Sequence, residues 1–340
     1  ERDCKNIIFL LENCEITVPE SNRFFVEVNC NGIQNRICYL RTKAYDSKIT
    51  ESGIYAGRVA LAYTGAYDFG HTSAEWESVI KLGIAGLRKR ISVYAEKNGN
   101  DEKKQRFYRE ISKVYDAALR FMKRAADTAA SQGKYEMAEG ISYLTENAPS
   151  SLFQAMQTSV IYYVLQHMFE GTYLRTLGRL DSLFYPYFKD ADESSVKELL
   201  VDYLNEIDRF KALANIPFAL GGTDAFGNSL INRLSYLILE AYVKADTGNT
   251  KIHLLCSKST PRDIISYALD AVRKGKNSIV FMSDGKVIES LEKMGEEHED
   301  AVDYHVVGCY ECGGNGELKA AMQYMSQSFR IKDPEIKDLF

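Results

Sequence analysis

The sequence of 340 residues has no excess of positive charge and no long uninterrupted apolar run. Its 42 lysines and arginines are outnumbered by 47 aspartates and glutamates, which gives a formal net charge of -5. Nucleic acids and anionic membrane surfaces attract basic surfaces, so this balance argues against both as partners and favours a small-molecule substrate or a protein partner. The most apolar helical stretch, residues 151–169, contains three glutamines and a histidine and is too polar for a membrane span.

A disulfide framework is also lacking. The seven cysteines are odd in number and irregularly spaced, and no secretory leader precedes them. These features predict a reducing, cytoplasmic location. The chain begins at Glu1 rather than at a methionine, so a fragment or a trimmed subunit is expected.

The composition is that of a globular protein, with 45% apolar and 26% charged residues. Disorder, collagen and coiled coil are therefore poor interpretations. No repeat or low-complexity segment divides the chain, and residues 1–340 are predicted to form a single domain. The first 45 residues contain short β-rich runs and are expected to be an irregular lead-in.

Helical periodicity begins at Ser73. Apolar residues recur at three- and four-residue spacings from Trp76 to Ile91, which predicts one face of an amphipathic helix. Further helices are predicted at residues 103–132, 151–170, 193–211 and 228–246. The stretch GGTDAFGNS before Asn228 lacks the lysine of a phosphate-binding P-loop, and it is interpreted as the turn that starts the last of these helices.

Strand-length apolar runs follow at residues 251–256, 278–283 and 303–308, and helical segments separate them. Helical crossovers place consecutive strands parallel in one sheet, and burial on both faces accounts for the continuous apolar runs. The pattern therefore predicts β-α-β-α-β. Cys309 comes directly after the third run, at the sheet edge where reactive groups gather.

Three side chains near this point are possible zinc ligands, namely His305, Cys309 and Cys312. The set is incomplete, because no second Cys-x-x-Cys occurs and His305 is expected to lie inside the strand, so no metal is predicted. A redox pair is disfavoured, since the flexible stretch GGNGE rather than a helix follows the cysteines. A buried structural cysteine is a further alternative.

Glu311 lies two residues after Cys309, so on an extended segment both side chains project to the same side. A nearby carboxylate raises the pKa of a thiol and disfavours the nucleophilic thiolate. The pair makes better sense if the sulfur works as a one-electron reagent while the carboxylate moves protons.

The motif from Gly308 to Glu311, GCYE, resembles the Gly-Cys-x-Glu motif of glycyl radical enzymes related to pyruvate formate-lyase, in the branch that contains dehydratases and decarboxylases. The resemblance extends in order from about Asn13 to Glu311. Its supporting stretches are residues 69–87, 176–188, 221–241 and 299–309.

The resemblance implies an α/β fold class: half of a ten-stranded barrel, with helices packed outside a parallel half-sheet and the reactive cysteine on a central loop. It implies that Cys309 becomes a thiyl radical that abstracts hydrogen from a small hydroxylated substrate, and that Glu311 is the general base. A C–O bond is then broken, or less readily a C–N, C–S or C–C bond.

Substrate contacts are expected by the same resemblance at His71, Thr176 and Tyr310. For His71 and Thr176, a structural role in a loop or cap is the alternative. Pyruvate formate-lyase itself has a second cysteine where Tyr310 follows Cys309 here, so formate and acetyl transfer are disfavoured. Arg179 and Asp181 are expected to pair structurally.

The sequence departs from the family in length and in lacking the Arg-Val-x-Gly-Tyr-like motif that carries the radical glycine. No bound cofactor is therefore expected. The glycyl radical is expected from a missing segment or a companion polypeptide with the second half-barrel, and a radical SAM activating enzyme would install it under anaerobic conditions. The chain is expected to be a split subunit or a truncated product.

Two other functions remain as alternatives. A catalytically degenerate scaffold or binding subunit would keep the same fold without the reaction, and a zinc-binding module is less favoured.

Overall fold

In the computed structural model, the described part of the chain comprises residues 2–30, 32–33, 73–170, 176–188, 192–210, 216–308 and 310–314. The chain folds into two compact units. The first consists of Glu1–Phe69, Leu82–Ala148 and Val160–Thr172, and the second of Gly70–Lys81, Pro149–Ser159 and Tyr173–Phe340. The single domain expected for residues 1–340 stays a prediction.

The first unit is mainly helical. Its elements are α1 (Arg2–Asn13), β1 (Glu15–Thr17), β2 (Glu27–Asn29), the later part of α2 (Trp76–Lys97), α3 (Glu102–Ser131), α4 (Tyr135–Leu144), the end of α5 (Leu152–Val164) and a π-helical turn (Leu165–Glu170). Strands β1 and β2 pair antiparallel.

Helix α3 begins where the Asp101 side chain accepts a hydrogen bond from the Lys104 amide, a typical N-cap. Its apolar stripe is rich in alanine and includes the buried Phe121. From the same helix Arg124 donates to the carbonyls of Leu11 and Cys14 at 2.8 Å each. The bond to Leu11 satisfies one of the carbonyl groups that the end of α1 leaves without a helical partner, and the bond to Cys14 holds the residue that follows the helix.

Helix α2 differs from the prediction of one continuous amphipathic helix. Gly83 has φ 63° and ψ 176°, outside the helical region, so the helix is interrupted there. Trp76 and Leu87 are buried as the spacing predicts, whereas Ile91 is only partly buried. Glycine adopts this left-handed φ without the steric cost that a Cβ atom imposes, which explains the break.

The second unit combines helices with a parallel sheet. Besides the first parts of α2 and α5, its elements are α6 (Leu180–Phe188), α7 (Glu193–Asp208), β3 (Ile216–Gly221), α8 (Arg233–Lys244), β4 (Thr250–Cys256), α9 (Arg262–Arg273), β5 (Ile279–Ser283), α10 (Asp284–Lys293), α11 (His298–Val302), β6 (His305–Val307) and β7 (Glu311–Gly313).

The sheet has the order β3-β4-β5, and both pairs of strands are parallel. All six residues of β3 are buried, as expected for a strand covered on both faces. Residues 177–179 run beside β3: the Leu177 amide donates to the Pro217 carbonyl at 2.9 Å, and Arg179 forms a parallel bridge with Ala219.

The predicted order of strands is corrected at its last member. Strand β6 pairs antiparallel with β7 rather than joining the parallel sheet, and β3 supplies the third parallel strand instead. The reason is Gly308, whose φ of 59° turns the chain back after three strand residues. The parallel relation of β4 and β5 around α9 is confirmed.

None of the helices in the described ranges combines the length and the apolarity that crossing a bilayer requires.

Candidate active site

The β6–β7 hairpin carries the predicted motif. Its register places Val306 opposite Cys312 and Val307 opposite Glu311. Val306 and Cys312 pack against the apolar cluster of the second unit. Because alternate strand residues face opposite sides, Glu311 lies on the other face of the hairpin. Cys309 and His71 lie outside the described residues, so their predicted roles are carried by the sequence alone.

The Glu311 carboxylate is half-buried, and its Oε2 atom accepts a hydrogen bond from the Tyr310 amide at 3.0 Å. The amide belongs to the residue directly after Cys309 in the sequence. One carboxylate oxygen is therefore held at the backbone of the turn that carries the motif.

The side chain of Tyr310 is 61% exposed. Its ring lies under the ammonium group of Lys251 in β4, with 5.0 Å between Nζ and the ring centroid, a cation–π contact. This contact joins the turn of the hairpin to the parallel sheet. The expected contact of Tyr310 with substrate stays a prediction.

Thr176 is buried and bonded to backbone. Its hydroxyl donates to the Pro217 carbonyl at 3.3 Å and accepts from the Gly178 amide at 3.1 Å. The Thr176 carbonyl accepts from the indole of Trp76 at 2.9 Å. These bonds agree with a structural role for Thr176, in which it holds the segment that runs beside β3. The predicted contact of Thr176 with substrate stays a prediction.

His305 is buried inside β6, as predicted, and is 1% exposed. Its Nδ1 atom lies 2.5 Å from the hydroxyl oxygen of Ser73. Burial, and to a smaller extent the positive charge of Arg179, lowers the pKa of His305 to about 3. The imidazole is therefore neutral at physiological pH.

Arg179 supports the segment that leads into β6. Its Nη2 atom donates to the carbonyls of Val302 at 2.5 Å and Tyr304 at 3.1 Å, and its guanidinium lies 5.2 Å from the centroid of the Tyr304 ring. Asp181 has other hydrogen-bond partners, the Gly221 amide among them. Arg179 and Asp181 therefore attract each other through their charges. This attraction lowers the pKa of Asp181, but burial has the larger effect and raises it.

Asp284 is a buried carboxylate that was not predicted as a site residue. It follows β5 directly and accepts hydrogen bonds from the Thr223 hydroxyl at 2.6 Å and the Tyr304 hydroxyl at 3.0 Å. Its position at the carboxyl end of a predicted strand could have indicated it from the sequence, because functional residues gather at that edge of a parallel sheet. With Arg179, it fixes Tyr304 immediately before the hairpin.

The Cys312 thiol is strongly disfavoured as a thiolate. Burial raises its pKa to about 12, with smaller contributions from the charges of Glu311 and Asp284. A thiolate is the form that binds zinc or attacks a disulfide. The environment of Cys312 therefore disfavours the thiolate that a redox pair uses to attack a disulfide.

Comparisons with known proteins agree with the fold. The family model described as "Pyruvate formate lyase-like" matches residues 33–329. The chain is 23% identical over 317 residues to the (2S)-3-sulfopropanediol dehydratase of Klebsiella oxytoca, a match that covers 82% of this chain and 37% of that protein. The chain is also similar to a solved structure of the B12-independent glycerol dehydratase from Clostridium butyricum in its glycerol-bound form. The matched region covers 93% of this chain and 50% of the dehydratase chain.

That structure superposes with a TM-score of 0.73 at 20% sequence identity, which confirms the predicted α/β half-barrel of the pyruvate formate-lyase type. The chain spans about a third of the length of the curated relatives that it matches. A separate match of 28 residues, 8% of the chain, is 79% identical to a probable manganese catalase of Clostridium acetobutylicum and covers 12% of that protein. A match this short carries no functional assignment.

Proposed function

The chain belongs to the pyruvate formate lyase-like family of glycyl radical enzymes, and from this premise we propose that it is the cysteine-bearing portion of a glycyl radical lyase that dehydrates a small hydroxylated substrate. The observation that carries the proposal is the Gly-Cys-Tyr-Glu motif on a hairpin of this fold, with Glu311 held at the turn. Two of the proteins that it resembles are dehydratases by name.

In the proposed reaction the Cys309 sulfur, as a thiyl radical, takes a hydrogen atom from a carbon that bears a hydroxyl group. An S–H bond forms and the carbon keeps one unpaired electron. Glu311 takes the proton of that hydroxyl and delivers a proton to the hydroxyl on the neighbouring carbon, whose C–O bond breaks so that it leaves as water. The product radical then recovers hydrogen from Cys309, which regenerates the thiyl.

The bond between Tyr310 N–H and Glu311 Oε2 supports this role of the carboxylate. It restricts the side chain, so that proton transfer takes place from a defined position. Rupture of a C–N, C–S or C–C bond in place of C–O uses the same two residues with a different leaving group.

The unpaired electron is proposed to come from a glycine on a companion polypeptide, after activation by a radical SAM enzyme. A missing segment of the same protein would supply it equally well. One observation supports added strands from either source: within the described ranges β5 pairs with β4 alone, which leaves one strand edge open.

The test is reconstitution of the full chain with the polypeptide that carries the radical glycine and with the activating enzyme, under anaerobic conditions. Paramagnetic resonance measures the glycine radical, and dehydration of glycerol and of 2,3-dihydroxypropane-1-sulfonate measures turnover. We expect Cys309→Ala to keep the glycine signal and to lose turnover completely. Glu311→Gln is expected to keep the signal and to lower kcat by about 10²- to 10⁴-fold.

Cys312→Ala is the matched control, since Cys312 lies three residues away and packs against the apolar cluster. It is expected to keep both the glycine signal and most of the turnover. A glycine radical without turnover of any tested substrate in the unaltered pair would favour a degenerate scaffold subunit. Turnover in Cys309→Ala would reject the thiyl mechanism.

A further inference from the structure

Glu77, Asp303 and His305 form a cluster in the second unit. One carboxylate oxygen of each acid and a ring nitrogen of His305 all lie within 4.8 Å of one another. Glu77 is in the first turn of α2, Asp303 ends α11, and His305 opens β6. The two acids are exposed and the histidine is buried, so the cluster is open to solvent on one side only.

The hydrogen bonds of Ser73 favour the tautomer of His305 that carries its proton on Nδ1. The Ser73 hydroxyl has one proton, and it donates this proton to the Ala74 carbonyl at 2.9 Å. In the 2.5 Å contact with His305 the serine oxygen is therefore the acceptor, and the proton lies on Nδ1. In a neutral ring this leaves Nε2 as a bare lone pair.

The Nε2 atom of His305 is fully buried and has no hydrogen-bond partner. A buried polar atom without a partner costs about 1–3 kcal/mol, so native structures rarely keep one. The neighbouring carboxylates do not satisfy it, because an ionised carboxylate is an acceptor only. Nε2 and the two carboxylates are all acceptors, and a cation shared among them gives Nε2 the partner that it lacks.

We propose that Glu77, Asp303 and His305 bind a divalent first-row transition metal ion. One imidazole and two carboxylates are a donor set that suits zinc, manganese or ferrous iron. The bond from Nδ1–H to Ser73 is the outer contact that metal-binding histidines make, and it fixes the ring. Water completes the coordination on the exposed side. This set contains neither Cys309 nor Cys312.

Such an ion ties the first turn of α2 to the strand that leads into the hairpin of Glu311. It therefore acts as a structural clamp beside the candidate active site, and it needs no part in the radical reaction. The site stands on its own observations and does not depend on the proposed function.

The experiment uses the full chain stripped with a chelator and then titrated with Zn²⁺ by calorimetry and with Co²⁺ by visible absorption. We expect one ion per chain. Ser73→Ala removes the outer contact and is expected to weaken binding by about 10- to 100-fold, and Glu77→Gln or Asp303→Asn by at least as much. Both acids are exposed, so these variants keep the fold, which circular dichroism checks.

Asp300→Asn is the control, because Asp300 is an exposed acid of α11 outside the cluster. Its affinity for the metal is expected to equal that of the unaltered chain. The proposal is overturned if the unaltered chain takes up no stoichiometric ion, or if Glu77→Gln and Asp303→Asn bind as tightly as Asp300→Asn. Those results would mean that the acids and His305 hold no metal.

Discussion

Asp181 is a carboxyl group with no exposure to solvent. It accepts hydrogen bonds from the Gly221 amide at 2.8 Å, the Ser235 hydroxyl at 2.5 Å and the Ser182 amide at 2.9 Å. Burial raises its pKa from the ordinary 3.8 to about 6, because these bonds and the charge of Arg179 offset only part of the lost hydration.

This shift predicts a stability that falls as pH rises. Between pH 3.8 and about 6 the unfolded chain ionises at Asp181 before the folded chain does, so the favourable contribution is complete below that window and is lost through it. Relative to Asp181→Asn, which does not titrate, the unaltered chain is expected to lose about 2 kcal/mol of unfolding free energy from pH 4 to pH 7. Urea unfolding at several pH values measures it.

Asp192→Asn is a control for which the expected change of stability with pH has the opposite sign. Hydrogen bonds from the Ser195 amide and hydroxyl lower the pKa of Asp192 at the start of α7. Relative to this variant, the unaltered chain is expected to gain stability as pH rises through the acid range. A difference between the unaltered chain and Asp181→Asn that stays constant with pH would contradict the assignment for Asp181.

Among the residues of the candidate site, the sequence alone indicated Glu311 and Tyr310 by motif and His305 by its place in a strand. It did not indicate the environment of His305, because Ser73 precedes His305 by 232 residues in the sequence. Short-range patterns carry no information about such a contact. Asp284 and Arg179 have the same property, since tertiary packing brings their partners to them.

The end of strand β3 depends on a glycine. Gly221 has φ 74°, and a Cβ atom there would lie 2.5 Å from Ile231 Cδ1 and 3.3 Å from the Leu255 carbonyl oxygen. We expect Gly221→Ala to lower the unfolding free energy by about 1–3 kcal/mol, because the φ is strained for alanine and the space is occupied. Denaturant unfolding measures the change.

Gly285 in α10 provides the matched control, since a Cβ atom there meets nothing within 4 Å. Gly285→Ala is expected to raise the unfolding free energy by about 0.4–1 kcal/mol, as alanine favours the helix. If both variants had the same sign of effect, the backbone account of Gly221 would be wrong.

Helices and strands were predicted correctly where the apolar pattern is regular. They were missed or misplaced where single residues set the boundaries of an element. Strands β4 and β5 and the helix between them were found from apolar runs. Strand β3 was missed, because it contains Pro217 and ends in glycine, both unusual in a strand. Helix α8 begins at Arg233 rather than 228, because Asn232 and Ser235 form a capping box that fixes the start.

Strand β5 is an edge in the described part of the sheet, and Phe281 on it is 38% exposed. Open edges promote association, so we expect the chain purified alone to self-associate or to bind a dye specific for exposed apolar surface. Light scattering and dye fluorescence measure this, and addition of the companion polypeptide should reduce both. A stable monomer that binds no dye would contradict the need for a companion.

The π-helical turn Leu165–Glu170 continues directly from the end of α5. A π-turn holds one residue more than an α-turn over the same rise. A homologue shorter by a single residue within these six can therefore wind the segment as ordinary α-helix and keep the packing of α5 before it. Length variation at this point of an alignment would report a change of helix type, and it would not indicate a lost loop or a different fold.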